Sequence, residues 1–213
     1  MKDVTLKTQE EVNAFAETSI EGSLIIQGSG IDDLSPLSTL TSVGGDLKIL
    51  FNPSLANFDG LNNLISVGGN FEIGYNDSIT NLEGLRNLAS VGENLLIWDC
   101  DTLTNLAGLS NISSVGGDLY IKNNPVLINL DGLNSLTSVG GNLWLFRNPT
   151  LANLDGLSKV TSVDGELSIR CNDTLTNLDG LGNISSVGGG LEIGYNPALI
   201  NLSGLSNITG NKN

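Results

Sequence analysis

The sequence predicts a repeat solenoid, a fold in which one short unit stacks on the next along a single axis. Seven glycines recur every 24 residues, each inside an Asn-Leu/Phe-x-Gly-Leu phrase: Gly60, Gly84, Gly108, Gly132, Gly156, Gly180 and Gly204. A second phrase, Ser-Val-Gly-Gly-x-Leu-x-Ile, recurs with few changes from Ser42 to Ile193. A fixed period of about 20 to 50 residues is typical of solenoids, whose repeats bury their apolar faces only against neighbours.

One repeat, read from Val43, contains a strand followed by tight turns. Leu47 and Ile49 alternate with polar or variable residues, which predicts a short strand with both side chains inward. Leucines or phenylalanines then recur every third residue from Leu55 to Leu64, a spacing that favours 3₁₀ turns over a long helix. Strands of successive repeats should stack as a parallel sheet, roughly 4.8 Å apart.

The pattern Leu-x-Ile-x-x-Asn-x-x-Leu that begins at Leu47 resembles a leucine-rich repeat. The two recurring phrases are more specifically similar to repeats of the receptor L-domain type, which occur in bacterial surface proteins, notably of the Bacteroidetes, and in fungal wall proteins. The resemblance covers about residues 20 to 209. It implies a right-handed leucine-rich-repeat or β-helix-like superhelix with 24-residue turns, a parallel sheet on one face, and an extracellular or cell-surface location. It implies binding or adhesion and no reaction.

The two ends of the chain differ from the repeats. Thr8 and Glu11 have the spacing of a capping box, and Val12 and Phe15 share a helical face, so we expect a short helix over residues 8–17 that covers the first turn. The chain then divides into an N-terminal cap of strand and helix (1–22), one solenoid (23–209) and a disordered tail (210–213). No such cap occurs near the C-terminus, which indicates either a longer array or an end available for self-association.

The composition excludes several kinds of partner. The 213 residues carry a formal net charge of −14, and an acidic chain repels nucleic acid and anionic membranes. No apolar run reaches the roughly 18 residues of a membrane-spanning helix. The first residues lack the apolar region of a signal peptide, which indicates a cytoplasmic protein or a mature segment without its leader. We expect neither a cofactor nor a metal site.

Residues at the same position of successive repeats form a column, and most columns barely vary. Asparagine fills one column completely, from Asn57 to Asn201, and another from Asn52 to Asn196 except at Cys100. We expect these amides to satisfy turn backbone groups and to bond to each other. The column that begins at Gly44 contains glycine or Asp164, which predicts positive φ angles there.

Three outward columns vary almost completely. They begin at residues 48, 50 and 51, and together they hold seven of the ten aromatic residues and four of the nine cationic ones. Such a composition on one sheet face is typical of a binding patch. We expect the ligand contact to centre on Leu96, Trp98, Tyr120, Lys122, Trp144, Phe146, Arg147 and Arg170. Two alternatives are that strands simply favour aromatics, or that another domain covers this face.

The patch is compatible with two functions. The first is recognition of a protein or adhesion at a cell surface. The second is recognition of a glycan on the Trp and Tyr platforms. An enzyme is not expected, because the chain has no histidine for a His-based triad or zinc site and we expect no catalytic residue. An ice-binding surface would use the uniform serine column from Ser42 to Ser186, but its neighbours are irregular.

Two smaller features lead to predictions. Cys100 and Cys171 lie about three turns apart, roughly 14 Å at the spacing of stacked strands, so we expect free thiols with Cys100 buried. The acidic column Asp59, Glu83, Asp131, Asp155 and Asp179 could share calcium ions between turns. We favour the alternative that each carboxylate caps its own turn.

Overall fold

A computed structural model describes residues 2–209 and shows a stack of parallel strands. One sheet, here called the long-strand sheet, has nine strands in chain order. They are β1 (Val4–Leu6), β3 (Leu24–Ile26), β5 (Leu47–Leu50), β7 (Phe71–Gly74), β9 (Leu95–Trp98), β11 (Leu119–Lys122), β13 (Leu143–Phe146), β15 (Leu167–Arg170) and β17 (Leu191–Gly194). The prediction of a solenoid of stacked parallel strands is thereby confirmed.

A second parallel sheet of eight two-residue strands runs along another side of the stack, whereas the sequence predicted one sheet only. This short-strand sheet consists of β2 (Ser19–Ile20), β4 (Ser42–Val43), β6 (Ser66–Val67), β8 (Ser90–Val91), β10 (Ser114–Val115), β12 (Ser138–Val139), β14 (Ser162–Val163) and β16 (Ser186–Val187). In each strand the valine or isoleucine is buried and the serine points outward. The serine column considered for ice binding therefore lies on this sheet, away from the variable columns.

The apolar core lies between the two sheets and is continuous along the stack. Inward residues of every inner turn, such as Leu143 and Leu145 of β13, are 0% exposed, and they belong to a single cluster that extends from Leu6 to Val187. The register of neighbouring long strands is 24 residues, as between Leu119 and Leu143. Equivalent side chains therefore stack directly on each other.

The three-residue leucine spacing produces 3₁₀ turns, as predicted. They cover Ser35–Leu37, Glu83–Leu85, Ala107–Leu109, Asp155–Leu157, Asp179–Leu181 and Ser203–Leu205. In the two remaining turns the equivalent glycines, Gly60 and Gly132, have φ angles of 104° and 111°. A Cβ on any glycine of this column would collide with backbone of the preceding turn, so close packing of the turns requires glycine.

A short helix, α1 (Gln9–Asn13), follows β1 at the N-terminal end. The Thr8 side chain accepts a hydrogen bond from the Glu11 N–H, and the Glu11 carboxylate accepts one from the Lys7 N–H. Val12 is 0% exposed and packs into the core. The helix is shorter than the predicted span of 8–17, because the chain turns after Asn13 to reach β2.

Glycines of the column that begins at Gly44 serve a different purpose from the one predicted. None has a φ angle in the left-handed region. A Cβ on Gly68, Gly92, Gly116 or Gly140 would instead collide with the carbonyl group of the residue 24 positions earlier. The prediction of positive φ at this column is therefore wrong, and tight stacking of backbone explains the glycines.

The Asn52 column forms a buried hydrogen-bonded ladder. Asn148 Oδ1 accepts from the backbone N–H of Asn124 at 3.1 Å, and Asn148 Nδ2 donates to the Ile121 carbonyl at 3.0 Å. The same bonds recur 24 residues apart in the other turns, except at Cys100, whose sulfur contacts the Trp98 carbonyl instead. The ladder satisfies a backbone N–H just beyond each strand, as at Asn124, and adds a hydrogen bond to a strand carbonyl such as that of Ile121.

At the C-terminal end of the stack, side chains at core positions are exposed. Leu191 and Leu202 are 47% and 55% exposed, whereas the equivalent Leu167 and Leu178 are 0% exposed. Within residues 2–209, β17 pairs with β15 on one side only. The predicted tail 210–213 lies outside the described residues.

Candidate functional site

The long strands point their side chains in the predicted directions. In β13, Leu143 and Leu145 are buried, while Trp144 and Phe146 face outward and are half-buried. The alternation holds from β5 to β15, so the columns that begin at residues 48 and 50 lie on the outer surface of the long-strand sheet. Together with the column that begins at residue 51, they form what we call the variable face.

All eight predicted site residues lie on this variable face, over four consecutive turns. Leu96, Tyr120 and Trp144 occupy one column, Trp98, Lys122, Phe146 and Arg170 the next, and Arg147 follows β13 directly. Tyr120 pairs in register with Trp144, and Lys122 with Phe146, so residues of one column lie next to each other on adjacent strands. The structure therefore groups the predicted residues into one surface.

The two tryptophans of the variable face are not equivalent. The Trp98 indole lies against Gly74, where three ring atoms are 2.6 to 3.1 Å from the place that a Cβ would occupy. One side of Trp98 is therefore covered by the preceding turn. Trp144 meets Tyr120 edge-on, with ring centroids 5.7 Å apart and planes at 79°. Its register partner on the other side is the small Ser168, which leaves that side of the indole open.

Charged groups divide the variable face into paired and unpaired parts. Lys48 Nζ lies 2.8 Å from Glu72 and 3.5 Å from Asp46, and these contacts raise the pKa of Lys48, chiefly through Glu72. In the part of the chain that the structure describes, neither Lys122 nor Arg147 forms an ion pair. The Arg147 guanidinium lies 4.9 Å from the centroid of the Phe146 ring. These two cations are available to an acidic or polar partner.

The residue that follows each long strand from β5 to β17 has a left-handed backbone conformation. The φ angles of this third column lie between 50° and 57°, at Phe51, Tyr75, Asp99, Asn123, Arg147, Cys171 and Tyr195. Such a conformation costs about 1–2 kcal/mol for a residue other than glycine. It also brings aromatic side chains of adjacent turns together, since the Phe51 and Tyr75 rings stack with centroids 4.5 Å apart.

A polar groove of about 410 Å³ runs beside this third column over four turns. Its lining residues come from the third column and from the position two residues later: Asp99, Asp101, Asn123, Pro125, Arg147, Pro149, Cys171 and Asp173. Asn123 Nδ2 donates to Asp99 Oδ1 at 2.9 Å. The groove combines carboxylates, an amide and a guanidinium, which suits a ligand with several hydrogen-bonding groups.

A smaller cleft of about 270 Å³ lies within the variable face, next to Trp144. Its lining residues are Trp144, Phe146, Glu166, Ser168, Arg170 and Glu192. Arg170 Nη1 lies 3.0 Å from Glu192 Oε1, and the guanidinium lies 5.3 Å from the centroid of the Tyr195 ring. The cleft thus has an aromatic wall on one side and an ion pair on the other.

The sequence predicts the variable face, but it does not predict several residues that line the polar groove and the cleft. Glu166, Ser168 and Glu192 are neither aromatic nor cationic, whereas aromatic and cationic residues define the predicted patch. Asp101 and Asp173 belong to the column of Pro53, in which proline and aspartate are the only residue types. Comparing side-chain size along each column, rather than residue type alone, would have revealed the gap after Trp144.

The acidic column does not cap its turns in the predicted way. The backbone N–H of Asp59 donates to Asn57 Oδ1 at 2.9 Å, and the same bond links Asp155 with Asn153. The asparagine column from Asn57 to Asn201 is therefore the capping group, and the carboxylates extend into solvent. Within residues 2–209, no group of three or more His, Cys, Asp or Glu residues has the geometry of a metal site.

Calcium should not change the thermal stability of the protein. The carboxylates of the Asp59 column make no shared site, and Ala107 interrupts the column. We expect the same Tm in millimolar calcium and in a chelator, measured by circular dichroism, with magnesium as the control for ionic strength. A rise in Tm specific to calcium would show that the column binds the ion.

The two cysteines should differ in reactivity. Both are free, as predicted, and Cys100 is 0% exposed, whereas Cys171 is half-buried at the polar groove. Burial raises the pKa of the Cys100 thiol to about 12, so it stays protonated at neutral pH. Dithiobis-nitrobenzoate should titrate one thiol rapidly and the second only after unfolding. Cys171→Ser should remove the fast phase, and two fast thiols in the native protein would contradict the burial of Cys100.

Comparisons with known proteins do not add a family. No protein-family model matches the chain, and a search of curated proteins found no significant match. The likeness to leucine-rich repeats therefore rests on the repeat pattern itself. None of the helices within residues 2–209 has the length and apolar character to cross a membrane.

Proposed function

We propose that the chain is a non-enzymatic binding module, which uses the variable face to recognise a protein or to adhere at a cell surface. The observation that carries this proposal is the contrast between columns. Scaffold columns repeat the same side chains, while the outward columns place half-buried aromatics in register on a rigid sheet. The requirements of the fold explain why the scaffold columns repeat. They do not explain why the outward columns vary and contain aromatic residues.

The chemistry of the variable face supports recognition rather than catalysis. Aromatic residues and arginine are enriched where protein interfaces are most strongly bound. Trp144 is held in place by Tyr120, and Arg147 by Phe146, so little side-chain entropy is lost when a partner contacts them. Lys122 and Arg147, which form no ion pair within residues 2–209, favour an acidic or polar region of the partner. The chain contains no histidine, so it cannot form a His-based triad.

Glycan recognition is a second candidate, and the cleft beside Trp144 favours it. An indole next to carboxylates and a hydroxyl gives both an apolar surface and hydrogen-bonding groups. The polar groove beside the third column adds further carboxylates within the same region of the molecule. The two candidates use the same face and differ in the class of partner.

The family relationship and the location belong to the same proposal. The repeat pattern supports a receptor L-domain-like leucine-rich repeat on a cell surface or outside the cell. Right-handed winding is supported by the parallel long strands, because connections between such strands are right-handed in about 98% of cases. The helix α1 serves in this proposal as the cap of the first turn, since it buries Val12 against the core.

Self-association through the C-terminal end is also proposed. Leu191 and Leu202 expose apolar surface beside the edge of β17 that pairs with no strand within residues 2–209, and such edges pair readily with another chain. Sedimentation over a range of protein concentrations should show dimers, which Leu202→Asp should weaken. A monomer at all concentrations would contradict this part of the proposal.

Capture experiments with matched variants test the binding face. The immobilised chain, Trp98→Ala and Trp144→Ala are exposed to cell-surface protein extracts and to a glycan array. We expect each aromatic substitution to lower the affinity for the captured partner by about 2 kcal/mol, which is roughly 30-fold. The control is Ser138→Ala on the short-strand sheet, which should bind like the unaltered chain.

Two results would contradict the proposal. Capture that is equally strong with both tryptophan variants would exclude the variable face as the site. Loss of binding in Ser138→Ala would place the site on the short-strand sheet instead.

A further inference from the structure

A step in side-chain size opens the cleft on one side of Trp144. In register along the sheet, Trp144 is followed by Ser168 and then by Glu192. Neighbouring strands lie about 4.8 Å apart, so Trp144 and Glu192 stand roughly 10 Å from each other with only a hydroxymethyl group between them. Tyr120 supports the opposite side of the indole. The result is a fixed aromatic wall facing a slot about one ring wide.

The remaining walls of the cleft are polar and contain both acceptors and donors. Glu166 and Glu192 contribute carboxylates, and Ser168 Oγ lies 3.5 Å from Glu192 Oε2. Arg170 forms its ion pair through Nη1. Its Nε–H is buried and meets no acceptor among residues 2–209. Solvent does not reach this Nε–H, so a ligand would accept a hydrogen bond from the rest of the guanidinium, on a side chain that is 35% exposed.

The groups in the cleft discriminate between classes of ligand. An ammonium ligand offers donors only and leaves the Arg170 donor unmet. An anionic ligand would face Glu166 and Glu192, and an apolar ring would offer no hydrogen bond to the polar walls of the cleft. A sugar has hydroxyls that both donate and accept, and its C–H groups are attracted to the negative face of an indole.

We propose that the cleft binds one pyranose ring of a neutral glycan. The ring stacks on Trp144, and its hydroxyls bond to Glu166, Ser168 and Arg170. This inference rests on the proposed use of the variable face for binding, and it names the ligand class for one part of that face.

The two tryptophans provide a direct test in the 213-residue chain. Their indole N–H signals in an NMR spectrum are assigned with Trp98→Phe and Trp144→Phe. The probes are maltotriose, cellotriose, xylotriose, mannotriose and chitotriose, each raised to about 10 mM, tenfold above a weak dissociation constant of about 1 mM. At least one should shift the Trp144 signal to saturation. The Trp98 signal should stay in place, because Gly74 and its turn cover that indole.

Matched variants locate the effect in the cleft. Ser168→Tyr fills the slot with an outward side chain and should abolish the shift. Glu166→Gln keeps the shape and should weaken binding by about tenfold, because one charge-assisted hydrogen bond becomes neutral. Ser138→Tyr makes the same substitution on the short-strand sheet and should leave the titration unchanged. Thermal melting of each variant verifies that it is folded.

Three results would overturn the inference: no trisaccharide moves the Trp144 signal, Trp98 and Trp144 shift together, or Ser168→Tyr binds as well as the unaltered chain. The capture experiments then separate the two proposals. Partner capture that still depends on Trp98 and Trp144 would leave the variable face as the binding site and reject only the sugar cleft. If no sugar binds the cleft and partner capture does not depend on Trp98 and Trp144, the variable face itself is rejected as the binding site.

Discussion

Asn148→Ala should be among the most destabilising single substitutions in the protein, at about 3–5 kcal/mol. The side chain is 0% exposed, and its removal leaves the Asn124 N–H without its partner and takes one hydrogen bond from the Ile121 carbonyl. Each buried group left unsatisfied costs about 1–3 kcal/mol, and the small cavity adds to that cost. Denaturation with urea, followed by circular dichroism, measures the loss in the free energy of unfolding.

The matched control for Asn148→Ala is Asn153→Ala, five residues later in the same turn. Asn153 Oδ1 accepts one hydrogen bond, from the Asp155 N–H at 3.1 Å, at a position that solvent reaches. Water can replace that bond, so we expect a loss of about 1 kcal/mol. Equal losses for the two variants would mean that the buried ladder contributes no more than an ordinary turn cap.

Cys100→Asn should act in the opposite direction and stabilise the protein by about 1 kcal/mol, the contribution of a typical net hydrogen bond. By analogy with Asn124, which donates to the Ile97 carbonyl, an amide at position 100 would donate to the Ile73 carbonyl and complete the ladder. Urea denaturation measures the gain, and Cys100→Ala controls for the loss of the thiol. A destabilised Cys100→Asn would show that this turn is too narrow for the amide.

Leu143→Ala and Trp144→Ala form the second large contrast, because the two residues are adjacent and face opposite sides of β13. Leu143 is 0% exposed and packs in the core, so its truncation should cost about 2–5 kcal/mol of stability. Trp144 is half-buried and its main aromatic contact is Tyr120, so its truncation should cost about 1 kcal/mol. Thermal and urea unfolding of both variants give the comparison.

The binding measurement on the same pair reverses the order. Trp144→Ala should lower the affinity for the captured partner by about 2 kcal/mol, whereas Leu143→Ala, studied at a temperature where it is folded, should bind almost normally. A Trp144→Ala variant that unfolds while Leu143→Ala does not would contradict the strand orientation.

Much of the fold could be predicted from the sequence because the repeats multiply weak signals. One Leu-x-Ile pair is poor evidence for a strand, but seven copies in register establish both the strand and its inward face. The short-strand sheet escaped prediction because Ser-Val has only two residues, too few to show a period. The left-handed conformation after each strand escaped because residues such as Phe51 and Arg147 rarely adopt it.

The candidate site was predicted in outline and missed in detail for a physical reason. Outward columns can be read directly from the repeat, so the structure groups Trp98, Tyr120 and Trp144 as expected. A groove or cleft depends on which side chains are neighbours on adjacent turns, and on the conformation of each side chain. Trp98 lies over Gly74, whereas one side of Trp144 is open beside Ser168, and the sequence alone does not distinguish these two arrangements.

The constant 24-residue register has a consequence for how recognition is encoded. Ladder bonds join equivalent residues of adjacent turns, as in Asn124 to Asn148 and Asn148 to Asn172, so the scaffold of one turn is nearly interchangeable with that of another. Exchanging whole turns would keep those bonds and shuffle the outward side chains. The cleft would vanish if the turn of Ser168 no longer followed that of Trp144. Ligand specificity is therefore determined by the order of the turns, because that order decides which outward side chains are neighbours.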